Sequence, residues 1–471
     1  MLYGRETELG LLNKSYNSKR SELIAVYGRR RIGKSYLIKQ YGLGKNFWAF
    51  EGLEGLSTPK QIDHFKNQLK KYIKDPLIDS IQFKGWTQVF DYLTQKIQEQ
   101  DRKVILFFDE LQWMAAGQVK LISLIKYYWD KDWKDLNIQF ILCGSIASFM
   151  VDKVVRSSAL YGRINFDIQV TELQPAEIKL FFKGQRSQQE ILKYMLIFGG
   201  VPKYFELINI KESFNKNIES LIFNRNGYVF NEYEKIFYSQ FKEHITYEKI
   251  VSLIAKKPMQ LEKIAQELKM KSGGGLRRYI TNLELARFIK SQKPIQKENA
   301  KIIKYKLYDE YLRFYFKYIK PHRKNLLNQS GLTEHFFKNK VETVWQPWLG
   351  LAFEHFCYKY NQIIINHLNI QYEVIEIGPY SETGENGLQI DLLIKRSDKV
   401  WNLCECKYSE NLIDISVVKE VQTKISKMKI PKGITIEPIL ITVNGVEKSV
   451  EKIDYFHSIL KIEDLFASQI K

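Results

Sequence analysis

Near the N-terminus the chain reads Gly28-Arg-Arg-Arg-Ile-Gly33-Lys34-Ser35, the spacing G-x-x-x-x-G-K-S. Backbone N–H groups of such a turn can wrap phosphates, and the helix after it points the positive end of its dipole at them. In this pattern Lys34 reaches the β- and γ-phosphates of a nucleoside triphosphate and the Ser35 hydroxyl ligates Mg2+. Gly28, Arg31, Ile32, Gly33 and Tyr36 complete the cradle. The match stands between a strand-like apolar run (23–27) and a helix-like one, which argues against an ordinary Gly-rich turn.

A second constellation follows. The apolar run 104–108 ends in Asp109-Glu110. A buried strand of this kind delivers Asp109 to the Mg2+ shell, and Glu110 can polarise the attacking water. The run 138–142 ends in Cys-Gly144-Ser145, a polar tip able to sense a γ-phosphate.

The third constellation lies near the C-terminus, where Asp391 opens an apolar run and Glu405-Cys-Lys407 closes the next one. Alternate residues of a strand share a face, so Glu405 and Lys407 point the same way, with Asp391 able to lie beside them. Two carboxylates can hold Mg2+ on a scissile phosphate while a nearby ammonium stabilises charge or positions water. Glu354, within Ala352-Phe-Glu-His-Phe, can supply a further ligand from a helix. E-x-K alone carries no weight, because solvated strand faces produce it often.

Stepping along the chain, residues 1–170 alternate short buried strands (23–27, 104–108, 138–142, 166–170) with helices, which predicts a parallel sheet covered on both faces. Residues 171–242 turn helical and aromatic, with Pro175 at a helix start and a break at Gly199-Gly200-Val-Pro202. Residues 243–325 read as helix, helix, helix, ribbon, helix, the order of a winged helix-turn-helix. In such a motif the third helix enters the major groove. Here it carries Arg277 and Arg278, approached through Lys269, Lys271 and Ser272-Gly-Gly-Gly275, with Lys290, Lys293 and Lys297 along the wing. Residues 326–471 are expected to form a last α/β domain with a helix at 348–360 and strands at 372–377, 390–394, 401–407 and 436–443.

These segments bear a resemblance to a known family. Tyr3-Gly4-Arg5-Glu6-x-Glu8-Leu9, the two ATPase segments, Gly144-Ser145, Leu160-Tyr-Gly162-Arg163 and Gly199-Gly200-Val-Pro202-Lys-Tyr204 occur in order. The set resembles the AAA+-related STAND ATPases, in particular the archaeal-type ATPase family with a C-terminal DUF234 region. The resemblance implies ATP as the nucleotide, with Gly4 and Arg5 near the adenine and Pro202 in a helical subdomain that closes over it. Arg163 stands where related ATPases place an arginine finger. Many STAND proteins do without one, and a structural Arg163 is the alternative. The spacing of Glu354, Asp391, Glu405 and Lys407 resembles the PD-(D/E)XK nuclease fold, to which DUF234 is thought to be related. No proline precedes Asp391. The expected fold is therefore α/β and multidomain: an AAA+-like P-loop core, a helical subdomain, a winged helix-turn-helix and a restriction-endonuclease-like α/β domain.

Composition bounds the partners. Hydrophobic residues at 45% and charged residues at 27% are those of a globular chain, and no apolar run is long enough to span a membrane. Four cysteines without a C-x-x-C pair indicate neither a disulfide framework nor a zinc site, which fits a reducing cytosol. The net charge of +19 is uneven: residues 271–324 hold 15 Lys and Arg against 4 Asp and Glu. That basic patch suggests double-stranded DNA as a partner, with a solvated basic face, or a winged helix packed on the ATPase core as a switch element, as the plainer readings. A homo-oligomer is compatible with these parts. The sequence predicts an ATP- and Mg2+-dependent switch joined to a DNA-cleaving domain. The alternatives are a DNA-binding regulatory ATPase with an inactive tail and a signalling scaffold with no DNA role.

Overall fold

The computed structural model describes residues 2–118, 120–241, 243–293, 295, 303–328, 335–382 and 387–467. The chain divides into two compact units. The first comprises Met1–Glu172 with two short later segments, Tyr238–His244 and Thr281–Arg287; the second comprises the rest.

The first unit is built on a parallel sheet of β1 (Glu22–Tyr27), β2 (Asn46–Glu51), β3 (Val104–Asp109), β4 (Ile138–Gly144) and β5 (Ile164–Gln169). Its order is β2-β3-β4-β1-β5, with every neighbouring pair parallel. β3 and β4 are buried at every residue, which is why they read as unbroken apolar runs rather than alternating ones. β2 was not anticipated. It is an edge strand with a partly exposed, aromatic-rich sequence, so it lacks the continuous apolar run of its neighbours.

One face of this sheet rests on an aromatic layer. Phe50 stacks on Phe65 with ring centroids 3.9 Å apart, and Phe108 meets Phe140 edge-on at 4.8 Å and Phe65 at 5.4 Å. Trp133 packs against Phe90 at 5.1 Å and satisfies its indole N–H on Thr94 Oγ1 at 2.8 Å. Edge-to-face contacts of this kind add to area burial and fix ring positions. Because Phe108 immediately precedes Asp109, this packing also fixes the acidic end of β3.

In the second unit, helices fill most of residues 173–237, including Gln188–Phe198 and Pro202–Phe205. Helices His244–Lys256, Leu261–Leu268 and Gly274–Leu285 precede an antiparallel hairpin of β6 (Ile289–Gln292) and β7 (Lys304–Leu307). Met259 adds a bridge to Tyr305. The turn expected between the hairpin strands, with Lys297, lies outside the described residues.

A mixed sheet follows: β8 (Val374–Glu382), β9 (Leu388–Arg396), β10 (Val400–Lys407), β11 (Thr435–Thr442) and β12 (Ser458–Leu460), in the order β12-β11-β10-β9-β8. The β8, β9 and β10 contacts are antiparallel, whereas β10-β11 and β11-β12 are parallel. Strand β8 runs beyond the expected 372–377 segment, through Gly378-Pro379. It is an edge strand whose register shifts there, so the missing proline N–H breaks no inner ladder. Helix Gln346–Lys359 packs on β9 and β10, and helix Ser416–Lys427 on β9. Among the described residues no helix is long and apolar enough to cross a membrane.

Phe108→Ala removes a fully buried ring whose neighbours are themselves rigid aromatics. The expected loss is about 3–5 kcal/mol for the unfolding of the first unit. It should appear in a urea titration as an earlier transition of that unit, with the second unit's transition in place; an unchanged midpoint would contradict the packing described.

Candidate nucleotide site and carboxylate cluster

The P-loop conformation follows from three local constraints. Gly28 has φ 155°, and a Cβ there would stand 2.3 Å from the Val170 carbonyl oxygen. Gly33 has φ 89° and opens helix Lys34–Tyr41, while Arg31 takes φ 68° between them. Lys34 Nζ donates to the carbonyl oxygens of Gly28 (2.9 Å) and Arg29 (2.8 Å), closing the loop on itself, and burial lowers its pKa. Ile32 is fully buried beneath the loop and Tyr36 is exposed.

Asp109 lies near this loop. Burial raises its carboxyl pKa, opposed by a hydrogen bond with Ser35. Ser35 and Asp109 thus stand together, as a hydroxyl and carboxylate sharing a Mg2+ shell would require. Gly4 and Arg5 form a turn of positive φ, at 67° and 73°. From it the Arg5 guanidinium donates to Ile32 O at 2.9 Å and Thr171 O at 2.8 Å and pairs with Glu8 at 3.0 Å. Arg5 thereby ties the N-terminal turn to the P-loop.

Glu110, with φ 50°, begins the short helix Leu111–Met114. Its Oε2 accepts from Ser145 Oγ at 2.7 Å, from Ser145 N at 3.2 Å and from Gln112 Nε2. Gln112 was not foreseen, since a glutamine two residues after an acidic pair carries no signal of its own. Gly144 matters here: a Cβ would stand 2.6 Å from Gln112 Oε1.

Two further residues of the expected set have contacts of their own. The Arg163 guanidinium grips Asp130 with two bonds of 2.6 and 2.8 Å, and that pairing pushes the Asp130 carboxyl down to about 2. Arg163 thus pairs with a carboxylate of its own unit. Pro202 belongs to the second unit, where it starts helix Pro202–Phe205 after Gly200, whose Cβ would stand 2.1 Å from Leu173 O.

The C-terminal carboxylates converge through strand register. β9 and β10 pair Leu392 with Cys404, which neighbour Asp391 and Glu405 along their strands. Asp391 Oδ2 accepts from Cys406 N at 2.9 Å. Burial, then the charges of Glu405 and Glu354, push the Asp391 carboxyl up to about 7. Glu354 on helix Gln346–Lys359 is raised by burial and by Glu405.

Glu405 is 1% exposed and accepts from Lys424 Nζ at 2.7 and 2.6 Å, with Lys407 Nζ at 3.0 Å. Lys407 also pairs with Glu420 at 2.7 Å. Among the described residues no group of three His, Cys, Asp or Glu side chains stands arranged to hold a metal ion. The set does suit a hard cation in its chemistry: oxygen donors on adjacent elements whose negative charges already disturb one another. Glu420 and Lys424 carry no distinctive sequence signal, because Glu-x-x-x-Lys on a helix is the commonest solvated pair.

The basic residues separate by environment. Arg277 and Arg278 are exposed between the buried Leu276 and Tyr279, and Lys293 is exposed. Lys290 has a different setting. Its ammonium lies over the rings of Tyr358 (4.8 Å) and Tyr308 (5.1 Å), beside Lys306 at 4.2 Å from Tyr358. Both ammonium groups are in cation–π contact with these rings. Burial lowers the neighbouring Lys306 to about 7.

Comparison with known proteins gives two family matches. Residues 2–208 match an ATPase domain found predominantly in Archaea, and residues 315–425 match DUF234, described as archaeal and bacterial proteins of unknown function. An uncharacterized protein of Methanocaldococcus jannaschii is 28% identical over 435 residues, 91% of this chain and 92% of its own length. An uncharacterized ATP-binding protein of the same organism is 44% identical over 41 residues, 9% of this chain and 70% of its own. Among solved structures, a Walker-type ATPase of Pyrococcus abyssi superposes with a TM-score of 0.51 at 19% identity, covering 67% of this chain and 96% of that one. The chain is thus a P-loop ATPase of the archaeal type that carries a C-terminal DUF234 region.

Proposed function

We propose that this chain is a cytosolic ATP-binding and hydrolysing switch that binds double-stranded DNA and cleaves it with a Mg2+-dependent site in its C-terminal domain. The observation that carries the nuclease part is the convergence of Glu354, Asp391, Glu405 and Lys407 on two paired strands and one helix. In the ATPase unit Lys34 and the loop N–H groups would bind the phosphates, Ser35 and Asp109 would hold Mg2+, and Glu110 with Ser145 would orient the attacking water. In the tail, Asp391 and Glu405 would hold Mg2+, which would supply charge to the scissile phosphate when bound. Lys407 keeps its proton there, since the carboxylates beside it raise its pKa against the effect of burial. Exposed Arg277, Arg278 and Lys293 supply phosphate contacts. Four buried free cysteines suit a reducing compartment.

One observation favours a second reading. Both Glu405 oxygens are engaged by Lys424, which suits an inactive nuclease-like tail that binds DNA or a partner. Incubating the full-length protein with plasmid DNA and Mg2+ or Mn2+, with and without ATP, separates the two. Nicking or linearisation that disappears in Glu405→Ala and Lys407→Ala supports cleavage. Intact plasmid in every condition, with nucleotide-sensitive DNA binding retained, leaves the regulatory reading.

DNA contact has its own signature. Replacing both Arg277 and Arg278 by Ala should weaken binding on all sequences alike and reduce the slope of log affinity against log salt by about two. An unchanged slope would remove these arginines from the interface.

The carboxylate cluster also predicts a stability effect. Asp391→Asn keeps an acceptor for the Cys406 N–H and removes a buried charge, so without divalent metal the variant should melt at a higher temperature at pH 8. The folded pKa of Asp391 is raised, so its contribution to stability is fully present below the unfolded value and lost as pH rises through about 7. The advantage of the variant should therefore shrink as pH falls to about 5. Equal melting temperatures across that range would show that the carboxylate is not strained.

A further inference from the structure

We infer that Gln240 is a positioning residue of the ATPase site, coupling the γ-phosphate to the segment that leads into helix His244–Lys256. Gln240 ends helix Glu232–Gln240, and Tyr238–His244 groups with the P-loop unit. Although polar, it is only 3% exposed. Its Nε2 donates to Ser145 O at 3.2 Å, and its Oε1 faces the backbone N–H of Arg30 at 3.5 Å. Beside it, Ser239 O accepts from Arg30 Nη1 at 3.3 Å, and the Arg30 guanidinium lies 5.2 Å over the Trp113 ring.

One carboxamide therefore bridges two loops that leave adjacent parallel strands. Tyr27 and Gly144 are register partners on β1 and β4, after which the P-loop and Ser145 diverge. The crevice beyond the C-terminal ends of such strands is where open α/β sheets bind ligands. On the far side of Ser145 stands Glu110, held by the Ser145 hydroxyl and N–H. The order of contacts is P-loop N–H, Gln240, Ser145, Glu110.

That order gives Gln240 a task beyond filling space. P-loop N–H groups are the donors that a bound triphosphate recruits, and the 3.5 Å contact from Arg30 N is the weakest in the series, so phosphate oxygens displace it at little cost. The other half of the amide stays on Ser145 and sets the height of the β4 tip against Glu110. A di- and a triphosphate make different demands on the Arg30 N–H. The helix end that carries Gln240 feels that difference, four residues before helix His244–Lys256 begins.

The test uses full-length protein, steady-state ATP hydrolysis, and hydrogen–deuterium exchange of Tyr238–His244 in ADP and in a non-hydrolysable ATP analogue. Wild type should show different exchange in the two nucleotides. Gln240→Ala should lose that difference and lower kcat roughly tenfold with KM within about twofold, the size of one lost hydrogen-bonded orientation. Gln240→Leu keeps the side-chain volume and should behave alike, which covers the case in which the smaller variant does not fold. Unchanged kcat in a folded variant, or an exchange difference that survives the substitution, would overturn the assignment.

Discussion

Strands β3 and β4 of the first unit are buried at every residue and β1 throughout its interior, and this burial governs where chemistry can occur. A strand covered on both faces has no solvated side chains along its length, so its polar groups gather where it ends. Parallel neighbours end on the same edge of the sheet. The order β3-β4-β1 then sets Ser145 between the phosphate loop and Glu110. The aromatic layer around Phe108 holds this arrangement, because Asp109 is the residue immediately after it.

The C-terminal domain meets a similar problem with a mixed sheet. Here antiparallel pairing, rather than a shared strand edge, brings Asp391 near Glu405, and a helix adds Glu354. Bringing carboxylates together in a desolvated place raises the free energy of the charged form, as the Asp391 and Glu354 shifts record. Lys424 and Lys407 offset that repulsion at Glu405. The same ammonium groups that stabilise the fold therefore compete with any cation the carboxylates would hold.

Local signals were read where residue type and spacing are dictated by backbone chemistry. The P-loop is the clearest case, since positive φ at Gly28 and Gly33 and a lysine at the helix start are required by the turn itself. The buried strands were equally plain. Edge elements were not: β2 carries aromatics in a half-exposed pattern, β12 is only three residues long, and β8 continues through a Gly-Pro pair that normally ends a strand. Partners distant in sequence were also hidden. Gln112, Glu420 and Lys424 belong to commonplace local patterns and acquire meaning only from what lies across from them.

By itself, then, the sequence determined the phosphate-binding turn, the strand that carries Asp109 and Glu110, and the alternation that points Glu405 and Lys407 to one side. Each follows from short-range backbone geometry with a fixed period. Which charges can act depends on contacts that the local sequence does not reveal. The tertiary structure turned Lys290 onto tyrosine rings, committed Arg163 to Asp130, and closed Lys424 on Glu405. The reason is physical: the sign of a charge is a property of the residue, but its availability depends on burial and on the nearest opposite charge or aromatic face. Those are set by contacts between residues far apart along the chain.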